Sequence, residues 1–566
     1  MSDRVQVLTK SDLVADFFVK QNVPAVFELS GGMIAFLTDA IARLGKTPII
    51  CTRHEQAAGF AAEGATRITG RSAVAMATSG PGATNLITAI ASSYFDSVPT
   101  IFITGRVNQS ELKKSVFQRQ NGFQELDIVQ AVRGITKYAV AINSDTNLLD
   151  ELKKAWAIAH EGRPGPVLLD IPIDVQQELI SINIGDKRLE EKFSNQQNSN
   201  FRIDELLKLI QSSQKPIFLL GGGIRTSQVT KLLREIISKC KIPAVHSLMG
   251  VDVLDSSSPY RIGMIGSYGN RWANQAIAKA DLIVALGTRL DIRQTGSDPT
   301  DFMQGKKIFR VDVDKFEING RIRADISVET DLQSFITALS EVEFEIDRLD
   351  WLATIQKEAE LFPQWAEQSR DVEFNPDEIM RWLSLVSEKI NGYIVDVGQH
   401  QMWAAQSLRI RAEQRFITSG GLGSMGFALP AAIGAAVTVP GRWVVIAGDG
   451  CSQLSIAELQ TIRQLNLPIT LCILNNNQHG MVAQFQETNI DSRFTATRDG
   501  YSAPNFCEVA RAFGIESRQI ENSQDLAEAT GFVSTWNSGP LVLEFIISTS
   551  AKALPKMGLG SSIQDL

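Results

Sequence analysis

Trp443-Val444-Val445-Ile446-Ala447-Gly448-Asp449-Gly450-Cys451-Ser452 opens the stretch whose reading decides the fold. Its first five residues form a continuous apolar run of strand length, the pattern of a buried strand. A helical pattern follows from Ile456 to Leu465, and a second apolar run, Ile469 to Leu474, leads into Asn475-Asn476-Asn477-Gln478-His479-Gly480-Met481. In a parallel sheet both runs end at one edge, which sets Asp449 beside Asn476. One carboxylate, one amide oxygen and a nearby backbone carbonyl suit a hard cation such as Mg2+, with positions left for phosphate oxygens. The glycines let the backbone approach a ligand, and the helix N-terminus offers amide donors.

The alternation of strand-length runs with helix-length patterns continues outward. Runs at 47–51, 72–77, 100–103 and 167–171 fall in a first block, residues 1–185. Runs at 217–220, 282–286 and 308–313 fall in a second block, 200–345. The third block is 375–550, and 551–566 form a tail without clear period. The polar stretch 190–200 reads as a linker, and the charged segment 347–375 as a connector. The class expected is α/β, with three consecutive doubly wound parallel sheets.

A chain of 566 residues has room for several domains, and 44% hydrophobic with 21% charged residues is the composition of a globular protein. A net charge of -8 gives no reason to expect nucleic acid or an anionic membrane as partner. No apolar run reaches membrane-span length, and the N-terminus lacks a signal-peptide layout. Five cysteines without metal spacing, an odd number, argue against a complete disulfide set and for a cytoplasmic protein.

Gly448-Asp449-Gly450 followed by Asn476 resembles the thiamine diphosphate (ThDP) signature. Four further segments resemble the acetohydroxyacid (acetolactate) synthase superfamily: Arg53-His54-Glu55-Gln56-Ala57-Ala58, Thr78-Ser79-Gly80-Pro81-Gly82-Ala83-Thr84-Asn85, Asp396-Val397-Gly398-Gln399-His400-Gln401-Met402-Trp403-Ala404 and Ser419-Gly420-Gly421-Leu422-Gly423-Ser424-Met425-Gly426. The resemblance runs over nearly the whole chain. It implies a pyrimidine-binding first block, a central FAD-type block and a diphosphate-binding third block, the first and third sharing one fold. Glu55 matches the glutamate that bonds the cofactor's aminopyrimidine ring, and Met425 matches the apolar wedge that bends the cofactor. The resemblance places Gly31, Gly32, Thr78, Pro81 and Asn85 on the pyrimidine side. It places Gln399, His400, Gly423, Gly448, Gly450, Cys451, Ser452, His479, Gly480 and Met481 on the diphosphate side. Asp449, Asn476 and the Gln478 carbonyl are its Mg2+ ligands, and Phe123 and Gln124 stand against the reacting centre. Arg163, Gly221, Gly222, Gly223, Leu248, Met249, Gly266, Gly287, Thr288, Arg289, Asp291, Arg293 and Asp312 match FAD-contacting segments.

Departures from the synthases gather on the substrate side. Ile173 stands where they carry Lys, Phe485 where they carry Trp, and Met33 where they carry Ala. The loop 112–125 is longer, and its Lys113, Lys114 and Arg119 read either as a solvated face or as a clamp for an acceptor's diphosphate. With the tail 554–560, this loop resembles the branch found in bacterial surface-polysaccharide pathways, which includes the yersiniose-forming acetyl transferases. The resemblance therefore implies a carboligase that decarboxylates pyruvate and passes the acetyl unit to a nucleotide-linked keto-deoxysugar. The alternative is an acetolactate synthase catalytic subunit with pyruvate as acceptor. A decarboxylase, an oxidase and a non-catalytic binding protein are weaker readings. The family also implies a homodimer or homotetramer whose active sites are shared between chains.

Overall fold

The computed structural model describes residues 5–115, 117–183, 201–318, 320–344, 348–368, 372–558 and 560–563. The stretch read as a linker, 190–200, lies outside them. Strand β1 (Val5–Thr9) is followed by the strands of a first sheet: β2 (Val26–Glu28), β3 (Ile49–Cys51), β4 (Val74–Ala77), β5 (Ile101–Arg106), β6 (Tyr138–Ala141) and β7 (Val167–Pro172). Strand β8 (Leu179–Asn183) then returns to pair antiparallel with β1. The second sheet holds β9 (Pro216–Leu220), β10 (Ala244–His246), β11 (Arg261–Met264), β12 (Leu282–Leu286), β13 (Lys307–Asp312) and β14 (Ile326–Glu329). The third holds β15 (Gly392–Val395), β16 (Arg415–Thr418), β17 (Trp443–Gly448), β18 (Ile469–Asn475), β19 (Glu516–Ile520) and β20 (Leu541–Ile546). All three sheets are parallel, and β17 and β4 are buried along their whole length, as their unbroken apolar runs require.

Strand order separates the blocks by type. The first sheet runs β3-β2-β4-β5-β7-β6 and the third β16-β15-β17-β18-β20-β19, the same permutation. The repeated fold implied by the resemblance is therefore present. The second sheet runs β11-β10-β9-β12-β13-β14, so chain direction across the sheet reverses between β9 and β12. Such a reversal opens a crevice at the carboxyl ends of the two strands, where parallel sheets bind ligands.

Two helices join the first sheet's domain to the third. Glu55–Thr69 follows β3 and Ala428–Thr438 follows β16, so they hold equivalent places in the repeated fold. Backbone meets backbone at two points of their contact, flanked by the edge-to-face pair Phe60–Phe427. A Cβ on Gly64 would lie 2.2 Å from Ala431 O, and one on Gly434 would lie 1.9 Å from Ala61 O. Ala61 thus opposes Gly434 while Gly64 opposes Ala431, and the helices run antiparallel. Arg67 extends the contact by donating to Thr418 O at 2.8 Å and pairing with buried Glu63 and Asp96.

The connector is more than a link: helix Leu349–Leu361 buries Trp351, Leu352 and Ile355 in the core beside the second sheet. The tail also docks there, with Met557 and Ile563 buried and Met557 N donating to Ser267 O at 2.9 Å. Among the described residues no helix is long and apolar enough to cross a membrane.

Gly434→Ala tests the crossing. Its methyl meets backbone, so destabilisation of about 1–3 kcal/mol is expected, read as a lower denaturant midpoint; an unchanged midpoint would show that the helices part freely.

Candidate active site

Gly448 on β17 is in register with Leu474 on β18, so Asp449 and Asn476 emerge together at the carboxyl edge of the third sheet. Asp449, Asn476 and Gln478 are all buried. Asn476 donates its amide nitrogen to Gln399 Oε1 at 3.1 Å, which leaves its oxygen as the end for a cation. Gln399 in turn donates to Gln484 Oε1 at 3.0 Å and to Ala551 O at 3.2 Å. The Gln478 side chain is engaged by Thr549 O and Arg498 Nε, so the group it has to offer is its backbone carbonyl. A Cβ at Gly480 would lie 2.0 Å from Gln399 Oε1 and 2.8 Å from Asn476 Nδ2, so a larger residue there would displace the Asn476–Gln399 hydrogen bond.

Among the described residues no cluster of three His, Cys, Asp or Glu side chains occurs. One carboxylate with neutral oxygens cannot close a cation's shell alone, which suits a hard metal shared with phosphate oxygens. Burial raises the Asp449 pKa, and the hydrogen bond from Tyr501 works against that rise. His400 lies beside Gly448 with its Nε2 buried and without a hydrogen-bond partner. Burial depresses its pKa to about 3, so the ring is neutral. An orphaned ring nitrogen at a helix start is what an anionic ligand would satisfy. Cys451 is inert packing: its buried thiol donates to Val397 O, and burial pushes its pKa up. Ser452 donates its hydroxyl to Gly448 O at 3.0 Å.

Met425 follows β16 in a loop where Gly423 and Gly426 have φ of 73° and 79°, backbone that favours glycine. The tip of Met425 lies over the diphosphate-type loop, since a Cβ on Gly450 would meet its Cε at 3.3 Å. Asp396 fastens the loop by accepting from Gly426 N at 2.9 Å and Ala428 N at 2.8 Å.

The first sheet's carboxyl edge gathers the other set. Glu55 is buried and accepts from Asn85 Nδ2 at 2.9 Å, while a Cβ on Gly82 would approach its other oxygen to 3.2 Å. Gly31 packs on Thr78, whose hydroxyl accepts from Met33 N at 3.3 Å. Gly32 starts the next turn, and Pro81 sits at the first position of helix Pro81–Asn85. Gln124, with φ of 64°, rests on Gly80, whereas Phe123 is 80% exposed. Ile173 is half-buried at the start of the helix after β7, whose Gln176 donates to Met33 O. Phe485, on helix Gly480–Asn489, is 45% exposed.

One chain does not bring these two sets together. The antiparallel crossing puts the Glu55 end of its helix near Glu458, where Arg53 N donates to Glu458 Oε1, and the Arg67 end near the Thr418–Met425 loop. Glu55 and Arg67 are about 18 Å apart along the helix.

A cavity of about 830 Å³ opens between the three domains, at the reversal point between β9 and β12. Its wall holds Gly222, Gly223, Leu248, Met249, Gly287, Thr288, Arg289, Asp291, Arg293, Asp312 and Arg163. Gly221 and Gly266 are not on the wall. A Cβ on Gly221 would lie 2.0 Å from Gly287 O, and one on Gly266 2.3 Å from Arg293 O, so both serve tight backbone turns. Asp291 is occupied as a helix cap, accepting from Arg293 N at 2.9 Å. Arg163 pairs with Asp314 and Glu317.

Models of the N-terminal ThDP-binding domain, the central domain and the C-terminal ThDP-binding domain of thiamine pyrophosphate enzymes match residues 8–131, 203–339 and 396–545. The acetolactate synthase large subunit of Mycobacterium tuberculosis is 33% identical over 573 residues, spanning 99% of this chain and 92% of its own. That of Lactococcus lactis is 33% identical over 554 residues, 97% of this chain and 94% of its own. Isozyme 2 of Escherichia coli is 34% identical over 551 residues, 96% of this chain and 97% of its own. The chain belongs to the ThDP-dependent enzymes of the acetolactate synthase family.

This acetolactate synthase-like carboligase also uses residues that its motifs do not announce. Tyr501 donates to Asp449 Oδ2 at 2.9 Å and lies far beyond the Gly448–Met481 stretch in sequence. Asp396 stands inside a recognised segment, but only the loop it holds reveals its part.

The buried ring of His400 gives a pH test. Its pKa of about 3 in the folded state lies below the 6.5 of a free histidine. Below pH 6.5 the unfolded chain therefore takes up a proton that the folded chain refuses, and stability falls by about 1.4 kcal/mol per pH unit. Denaturant unfolding at pH 7 and pH 5 is expected to show a steeper loss for the cofactor-free wild type than for His400→Asn. Equal losses would remove the neutral-ring assignment.

Proposed function

We propose that this enzyme decarboxylates pyruvate and transfers the acetyl unit to a second small 2-keto acid, forming acetolactate when that acceptor is pyruvate. The observation that carries the reading is identity of 33–34% with acetolactate synthases over nearly the full length. These relatives support a small keto acid over the nucleotide-linked keto-deoxysugar expected from the substrate-side departures.

When bound, ThDP would supply the carbanion chemistry that decarboxylation of a 2-keto acid needs. Asp449, the Asn476 amide oxygen and the Gln478 carbonyl would hold Mg2+, and His400 and Gln399 would meet the diphosphate. Glu55, braced by Asn85, would exchange a proton at the pyrimidine end. Met425 would serve as the wedge. Gln124, Phe123, Met33, Ile173 and Phe485 would bound the substrate space. Because one chain separates Glu55 from Asp449, the site would be completed by a second subunit, so the working unit is at least a homodimer.

FAD would fill the central cavity, whose volume suits a large cofactor and whose position at the strand-order reversal suits a dinucleotide. Of the arginines on its wall, Arg163 is paired with Asp314 and Glu317 and Arg289 with Asp291, so Arg293 would be the one to offset its diphosphate charge, in a role other than electron transfer. Five free cysteines fit a reducing, cytoplasmic setting.

The sugar acceptor stays as a second reading because Ile173 adds no charge and Phe485 is half exposed, which leaves an apolar approach. Mass spectrometry of products from labelled pyruvate, ThDP, Mg2+ and FAD, with and without nucleotide-linked 4-keto-deoxysugars, separates the two. Acetolactate formation untouched by any sugar is expected; an acetyl-sized gain on a sugar that suppresses acetolactate would reverse the assignment.

Glu55→Gln is expected to lower kcat by about 10²–10⁴-fold while ThDP still binds. Near-normal turnover would remove Glu55 from the mechanism. Phe485→Trp should narrow the pocket and favour the smaller of two competing acceptors; an unchanged product ratio would acquit Phe485.

A further inference from the structure

The segment 493–503 reaches back over the Asp449–Gly480 edge at four points. Thr497 O accepts from His479 N at 3.0 Å, Arg498 Nε donates to Gln478 Oε1 at 2.5 Å, and Ala503 N donates to Asn477 Oδ1 at 2.9 Å. The fourth contact differs in kind, because it ends on the carboxylate: the Tyr501 hydroxyl donates to Asp449 Oδ2 at 2.9 Å.

The direction of that hydrogen bond is determined by its surroundings. Gln453 Nε2 lies 3.0 Å from the Tyr501 oxygen and 3.5 Å from Ser502 O, so the amide presents its donor end to both. The phenol oxygen therefore accepts from Gln453, and its own hydrogen goes to Asp449. The ring is held separately, with its centroid 4.4 Å from that of His479 at 53°. Position and hydroxyl direction thus rest on different contacts.

We infer that Tyr501 is a positioning residue: its hydroxyl occupies one oxygen of Asp449 and turns the other toward the cation shared with the diphosphate. The inference rests on the ThDP–Mg2+ reading of this edge. Asp449 is only 3% exposed, so little water reaches the oxygen that a cation would leave unbound. The Tyr501 hydroxyl satisfies that oxygen and selects one carboxylate orientation, as partners of metal ligands do elsewhere.

Tyr501→Phe keeps the ring on His479 and removes only the hydroxyl. Mg2+ is titrated into wild type and variant in the presence of ThDP, with uptake followed by calorimetry and by tryptophan fluorescence. The apparent Kd for Mg2+ is expected to rise about tenfold or more, with the melting temperature of the cofactor-free chain unchanged. Wild-type Mg2+ affinity in the variant overturns the inference, and so does a loss matched by a lower cofactor-free melting temperature. Should Tyr501→Phe not fold, Gln453→Leu reads the same quantity: a smaller rise in Kd is expected, and no rise overturns it. Absence of Mg2+-dependent ThDP binding in the wild type would instead remove the cofactor reading, before any variant is compared.

Discussion

The glycine-mediated crossing of helices Glu55–Thr69 and Ala428–Thr438 is the constraint on which the remaining arrangement depends. Backbone meets backbone at Gly64 and Gly434, so neither helix can slide or rotate without a clash. The helices belong to two copies of one fold and pack antiparallel, which turns the carboxyl edges of the first and third sheets away from each other. On the ThDP reading proposed above, each edge would take a different half of one cofactor, and the antiparallel crossing sets them at opposite ends of the helix pair. The proposed second chain is motivated by how these two helices cross.

The same junction ties the loop carrying Met425 to the central cavity. Asp96 accepts from Gly420 N and Gly421 N while pairing with Arg67, and both Arg67 and Gly420 lie on the cavity wall. Burial raises Glu63 to a pKa of about 7, and the Arg67 guanidinium works against that rise. Leaving any member of this buried network unpaired costs more than the network contributes as a whole, which favours keeping it complete. A Cβ on Gly420 would lie 2.3 Å from Met249 Sδ, so the loop carrying Met425 is pressed between the first and second domains.

Much of the fold was legible in the chain. Long apolar runs such as 443–447 and 282–286 became strands within a residue of their expected limits, because strands buried on both faces have no polar positions to blur them. Short strands such as Val26–Glu28 and Ala244–His246 escaped, since three residues give no periodicity to read. The largely exposed strand Glu516–Ile520 escaped for a different reason: Ile520 is its one apolar and one buried residue, so it shows no hydrophobic alternation. The helical pattern read at 456–465 is present as a 3-10 turn, Ile456–Glu458, and a helix, Leu459–Gln464, but a separate short helix, Asp449–Leu454, precedes it and escaped because Gly450 and Ser452 blur its apolar pattern.

The sequence by itself determined which chemical groups stand at the strand ends: Asp449 with Asn476, and Glu55 within its own motif. Each follows from a local strand–turn–helix unit in which a few residues decide the geometry. The resemblance already implied that active sites are shared between chains; only the tertiary structure decided which helix crossing sets Glu55 and Asp449 apart, that Gly221 and Gly266 pack against backbone at tight turns, and that Tyr501 reaches Asp449. Those facts depend on contacts between segments far apart in the chain. Such contacts are set by backbone packing and loop paths, which no local pattern of residues encodes.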